Sequence, residues 1–162
     1  MKLYLISICL LLSACASLPP TFDNAPATEV NYNQVREDLA RHHNTLVRWG
    51  GVIVSTENIE NISLMEITYY PLDHYGRPRL DETSDGRFVI KSAKALNPAI
   101  YATEREIIVL GVIDGDIKRA ISNEKRAWMP LINSTAIHLW PINYRGNYYR
   151  HCPSCYFRQL FW

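Results

Sequence analysis

Apolar and polar positions alternate along most of this chain with the two-residue period of a strand, and the departures from that period mark its boundaries. Ile62 to Tyr70 shows it most cleanly, with Met65, Ile67 and Tyr69 on one face and Glu66 and Thr68 on the other. Leu46 to Val54 predicts a first strand interrupted by Gly50-Gly51, and glycines inside a strand mark a bulge, a bend or a close backbone approach. Arg87 to Lys91 predicts a third strand with Phe88 and Ile90 inward. Glu104 to Ile113 is the most apolar strand, and Ile107 to Val112 has no polar side chain, so burial on both faces is expected. Trp128 to Ile132 and Ala136 to Trp140 predict two more short strands around Asn133-Ser134. Helical spacing occurs once, over Asn31 to His42, where Tyr32, Val35 and Leu39 share a face and Asn31 and Gln34 make a capping pair. Leu96 to Tyr101 reads as a single helical turn, Pro71 to Asp85 as a polar loop, and Asp114-Gly115-Asp116 as a turn.

This order of elements predicts a mainly β domain over residues 31–141. The expected architecture is a small OB-like Greek-key barrel of five to six strands, with a short N-terminal helix and a helical turn between strands 3 and 4, and periodicity alone does not separate it from an unrelated small β-sandwich. The Gly50-Gly51 pair would let the first strand curl across both halves of such a barrel.

Residues 1–14 have another character. Lys2 precedes the apolar run Leu3 to Leu12, broken only by Ser7, and small residues lead to Cys15, the anatomy of a signal peptide. Leu12-Ser13-Ala14-Cys15 resembles the lipobox of bacterial lipoproteins. That resemblance implies cleavage before Cys15, a diacylglyceryl group on its sulfur and an N-acyl chain, with no other cofactor. Two or three chains anchor firmly where one holds marginally. Ala16, where an Asp commonly retains such proteins in the inner membrane, points to the outer membrane and its periplasmic face. Residues 15–30, with Pro19, Pro20 and Pro26, read as the lipidated Cys and a flexible tether.

Composition narrows the function. The 162 residues carry 17 Lys plus Arg and 16 Asp plus Glu, a net charge of +1, so no long-range field favours nucleic acid. With 48% hydrophobic and 20% charged residues the chain is core-forming. No apolar stretch reaches the length of about 20 residues that a spanning helix needs.

Candidate chemistry is sparse. No Gly-x-Ser-x-Gly, phosphate loop or His-Glu-x-x-His occurs. His138 alternates with Ile137 and Leu139 and is expected to face solvent, and Glu66, Asp73 and Asp85 are acids without a catalytic spacing. No metal site is expected. Cys152-Pro153-Ser154-Cys155 admits three readings: a disulfide in an oxidising compartment, a redox dithiol lacking its usual helical context, or part of a metal site short of four ligands. Residues 142–162 form an aromatic tail whose only charges are Arg145, Arg150 and Arg158. Tyr148, Tyr149, Arg150, Phe157 and Trp162 make it a candidate interaction surface for an envelope protein, lipid headgroups or glycan, or else a cap on an open barrel end.

Several motifs together resemble the Slp family of outer-membrane lipoproteins. They are Arg48-Trp49-Gly50-Gly51, Tyr70-Pro71-Leu72-Asp73 with Tyr75 and Pro78, Gly86-Arg87-Phe88, Leu96-Asn97-Pro98 with Tyr101, Ile107 to Gly115, and Ile137-His138-Leu139-Trp140. The resemblance implies a lipid-anchored envelope protein with a stress or starvation connection, and it brings no catalytic residue. The expectation is a non-enzymatic structural or adaptor lipoprotein bound to outer-membrane lipid through its anchor, with an envelope protein or glycan as partner. The alternative is a thiol-redox or metal-handling lipoprotein using Cys152 and Cys155.

Overall fold

The computed structural model describes residues 19–23, 25, 27, 30–120 and 126–142. Among the described residues, three short helices, α1 (Pro20–Asp23), α2 (Tyr32–Glu37) and α3 (Leu39–His42), precede five strands. The strands are β1 (Leu46–Ile59), β2 (Ile62–Tyr70), β3 (Gly86–Ser92), β4 (Glu106–Ala120) and β5 (Arg126–Leu139). They close into a barrel in the order β1-β2-β3-β5-β4. All neighbours are antiparallel except β3 and β5, which run parallel. This is the Greek-key connectivity of an OB barrel.

Closure depends on β1. Leu46 to Val52 pairs with β4, while Gly50 to Ile59 pairs with β2, so the two ladders overlap over Gly50 to Val52 and the strand turns from one half of the barrel into the other. A Cβ on Gly51 would collide with Thr68 O and the Ile67 side chain. The glycine is what lets β1 and β2 approach there.

The expected helix over residues 31–42 is two helices. Asn31 and Gln34 form the capping box in both directions, each contact 2.9 Å. Asp38 then leaves helical geometry, and its carboxylate accepts from Arg41 N at 3.0 Å to cap α3. A short acid that can bond its own backbone competes with helix continuation at this position. Leu96 to Tyr101 is a turn in which Asn97 O accepts from both Ile100 N and Tyr101 N at 3.0 Å.

Two expectations fail at bulges. The strands expected on either side of Asn133-Ser134 are one strand, β5, with Thr135 bulged out where the register with β4 slips between Leu110 and Gly111. Thr135 Oγ1 donates to Leu110 O and Ser134 Oγ to Lys91 O, both at 3.0 Å. Ser134, where a break was expected, and Thr135 beside it instead satisfy the bulge. Likewise Asp114-Gly115-Asp116 is not a turn but a bulge inside β4, with Gly115 at φ 131.

The core is continuous from the barrel interior into α2. Trp49, Met65, Ile67, Tyr69, Phe88, Ile90, Ile107, Val109 and Ile132 are buried inside, and Tyr32 and Val35 of α2 close one end. Tyr32 stacks on Tyr69 at 5.3 Å, and Trp49 meets Tyr69 and Phe88 edge-on at 5.4 and 5.3 Å. Their polar tips are satisfied: Tyr32 OH donates to Arg87 O at 3.0 Å and Trp49 Nε1 to Val30 O at 2.7 Å.

Candidate interaction surfaces

Burial on both faces of β4, expected from its unbroken apolar run, requires something outside the barrel to cover Ile108 and Leu110. The cover is Phe22 of α1, 2% exposed, helped by Ala25, Ala27, Leu72 and Trp140. Arg48 Nη1 donates to Phe22 O at 2.9 Å and ties the segment to β1. The described part of the expected tether therefore lies docked on the barrel rather than free. Phe22 is the one large apolar residue between Leu18 and Val30, which is the signal for docking that the proline-rich context obscures.

His138 points to this outer face, but the Phe22 ring stands edge-on over it at 6.3 Å and Trp140 at 5.1 Å. Desolvation by that cover lowers its pKa from 6.5, a departure from the expected solvated position. Trp140 is the hub of the same edge. Its amide donates to Glu106 O at 2.9 Å, and its carbonyl accepts from Arg105 Nη2 at 3.1 Å. The Arg77 guanidinium lies 5.8 Å from its ring, with Arg77 Nε bonded to Glu106 at 2.7 Å. The β2–β3 loop packs alongside, because Gly50 leaves room for Leu72 and Pro78. In this way the sequence motifs around residues 48–51, 70–78 and 137–140 meet as one packed cluster.

The acids noted in the sequence serve the fold. Glu66 is buried and paired with Arg87 at 2.7 Å. Asp73 accepts from Tyr75 N and Arg77 N, each at 2.8 Å, and shapes its own loop. Asp85 is exposed. Among the described residues, no three His, Cys, Asp or Glu side chains group as metal ligands.

A second surface lies on the far parts of β4 and β5, which continue as a hairpin arm from the bulge at Gly115. Met129 of the arm is buried on Leu64 and Val89, with Ile117 and Leu131 around them. Arg119 bonds Glu57 at 2.9 Å across to the β1–β2 hairpin. The outer β2–β3 face, where OB domains take ligands, is thereby covered at Leu64 and Val89 by the chain's own arm. On the arm's other side Trp128 is 61% exposed, with Lys118 Nζ 5.8 Å from its ring. Cys15, Cys152, Cys155, Tyr148, Tyr149, Arg150, Phe157 and Trp162 lie outside the described residues.

Strand pairing and outer cover together define a closed OB-type barrel with a docked N-terminal strap. A model of the outer membrane lipoprotein Slp family matches residues 12–162, and the chain belongs to that family. Its members are outer-membrane lipoproteins, and the outer membrane is where this protein resides. The chain is 25% identical to the outer membrane protein Slp of Escherichia coli K12, over 85% of this chain and 73% of that one. It is 27% identical to the lipoprotein YeaY of the same organism, over 82% and 68%. Among solved structures, the Saccharomyces cerevisiae mitochondrial single-stranded DNA binding protein Rim1 aligns with 59% of this chain and 94% of its own, at TM-score 0.35 and 11% identity.

Proposed function

We propose that this outer-membrane lipoprotein is a non-enzymatic structural or adaptor component of the envelope, held by acyl chains on Cys15 and facing the periplasm. The observation that carries the reading is the covered β2–β3 face: Met129 occupies the surface over Leu64 and Val89 where a ligand would otherwise lie. What remains for recognition is the exterior, the strap edge and the arm. The pairing of Glu66 with Arg87 supports the same reading, since it commits a buried acid to the fold.

Two measurements test it. Mass spectrometry of the N-terminal peptide from membranes is expected to find Cys15 diacylglycerated and N-acylated, and Cys15→Ser is expected to lose that lipid. Purified protein is expected to release no fragments from peptidoglycan; turnover would overthrow the non-enzymatic half.

A further inference from the structure

Five large apolar side chains stand exposed among the described residues, and three of them, Tyr75 at 66%, Ile100 at 52% and Ile142 at 73%, belong to segments that meet at Trp140. Tyr75 sits two residues from Arg77, whose guanidinium covers the Trp140 ring. Ile100 O and Trp140 O both accept from Arg105, at 3.2 and 3.1 Å. Ile142 follows Trp140 by two residues. Arg48 and Arg105 add two basic side chains to this edge, and their guanidinium groups donate to backbone carbonyls.

Both ends of the described chain lie at the same edge. Phe22 packs on His138 in one cluster with Trp140, and Phe22 N donates to Pro19 O at 2.9 Å, so Pro19, the first described residue after Cys15, is within one turn of that cluster. From Cys15 to Pro19 there are four Cα steps, a leash of at most about 15 Å. Past Ile142 the sequence runs into a segment with seven aromatic side chains, three arginines and no acid.

We propose that this edge is a membrane-contact surface. Tyr75, Ile100 and Ile142 rest among the headgroups of an anionic phospholipid leaflet, with Arg48 and Arg105 over its negative surface. Aromatic and aliphatic tips beside basic groups are the side chains that favour this boundary. The inference rests on the reading that Cys15 is acylated, because the short leash is what brings the edge to the leaflet. It also gives the barrel an orientation. Trp128 pairs with Lys118, twelve residues along β4 from Glu106, so the arm stands off by up to roughly 40 Å of strand.

The test uses the full acylated protein in vesicles of phosphatidylethanolamine and phosphatidylglycerol containing a phospholipid with a photoreactive headgroup. Crosslinked peptides are located by mass spectrometry. Peptides covering residues 71–79, 97–105 and 137–142 are expected to label about fivefold more than those carrying Ile59 or Trp128. Tyr75→Asp with Ile142→Asp, both at exposed positions, is expected to cut that labelling about threefold with an unchanged circular dichroism spectrum, as is omission of phosphatidylglycerol. Labelling spread evenly over the barrel, or strongest at Trp128, overturns the proposal, as does labelling indifferent to both the substitutions and the anionic lipid. The mass of the Cys15 peptide is read in the same experiment. A lipid-free Cys15 defeats the anchoring reading and this inference with it, whereas a lipidated Cys15 with an unlabelled edge defeats this inference alone.

Discussion

At Gly86 the backbone takes φ 151 and the Tyr32 ring stands where a Cβ would be. Alanine there meets both a disfavoured conformation and the aromatic group that closes the barrel, so Gly86→Ala is expected to cost about 2 kcal/mol or more in denaturant unfolding. Gly115 is the control: its φ is 131 but nothing lies within 4 Å, and Gly115→Ala is expected to cost about 1 kcal/mol. Protons read the same packing. Burial raises the pKa of Tyr32 and of Tyr69 above 10.0, so the unfolded chain ionises first and stability falls as pH rises past about 10. His138 works in the other direction. Its folded pKa lies below 6.5, the unfolded chain takes up the proton first, and stability is lost as pH falls through that range. Melting temperatures across pH check both signs, and His138→Phe is expected to remove the acid part. Of these residues the sequence disclosed the Gly50-Gly51 bend, because glycine in an apolar strand has few other uses. It misrepresented Asp114-Gly115-Asp116, because turns and bulges draw on the same small polar residues.

At the scale of elements, the arm shows how a hairpin is secured. Met129→Ala removes a buried side chain from over Leu64 and Val89 and is expected to cost about 2–4 kcal/mol. Arg119→Ala breaks an ion pair whose Glu57 side chain is half exposed, and is expected to cost under about 1 kcal/mol. Equal losses from the two in urea unfolding would contradict this ranking. The arm was hardly legible beforehand. Asp114-Gly115-Asp116 read as a turn, and only pairing with the opposite strand makes Asp116, Lys118 and Arg126 positions in a ladder. By contrast the bounds of β2 and its inward Met65, Ile67 and Tyr69 were legible to the residue, while the burial of Leu64 and Glu66 on its other face was not.

For the whole molecule, the strap decides how closely the barrel is held. Phe22→Ala is expected to free the chain back to Val30, whose carbonyl Trp49 Nε1 still holds at 2.7 Å. Protease should then cut between residues 16 and 29 at least tenfold faster by local opening, while the barrel's melting temperature moves by only a few degrees. A cleavage rate equal to wild type would mean that Phe22 does not govern the length of the leash.

The alternation of apolar residues, the paired glycines and the capping box determined a mainly β domain with a short N-terminal helix, because these are local signals whose period sets which face is buried, and strand pairing then decided barrel over sandwich. The family motifs likewise pointed to the class of protein, and the family match over residues 12–162 shows it. Tertiary structure decided what covers what: that Phe22 shields Ile108, that Met129 shields Val89, and that Arg77, Arg105 and His138 meet at Trp140. Those contacts join residues remote in the chain, and no local period carries information about which distant side chain will fill a given face.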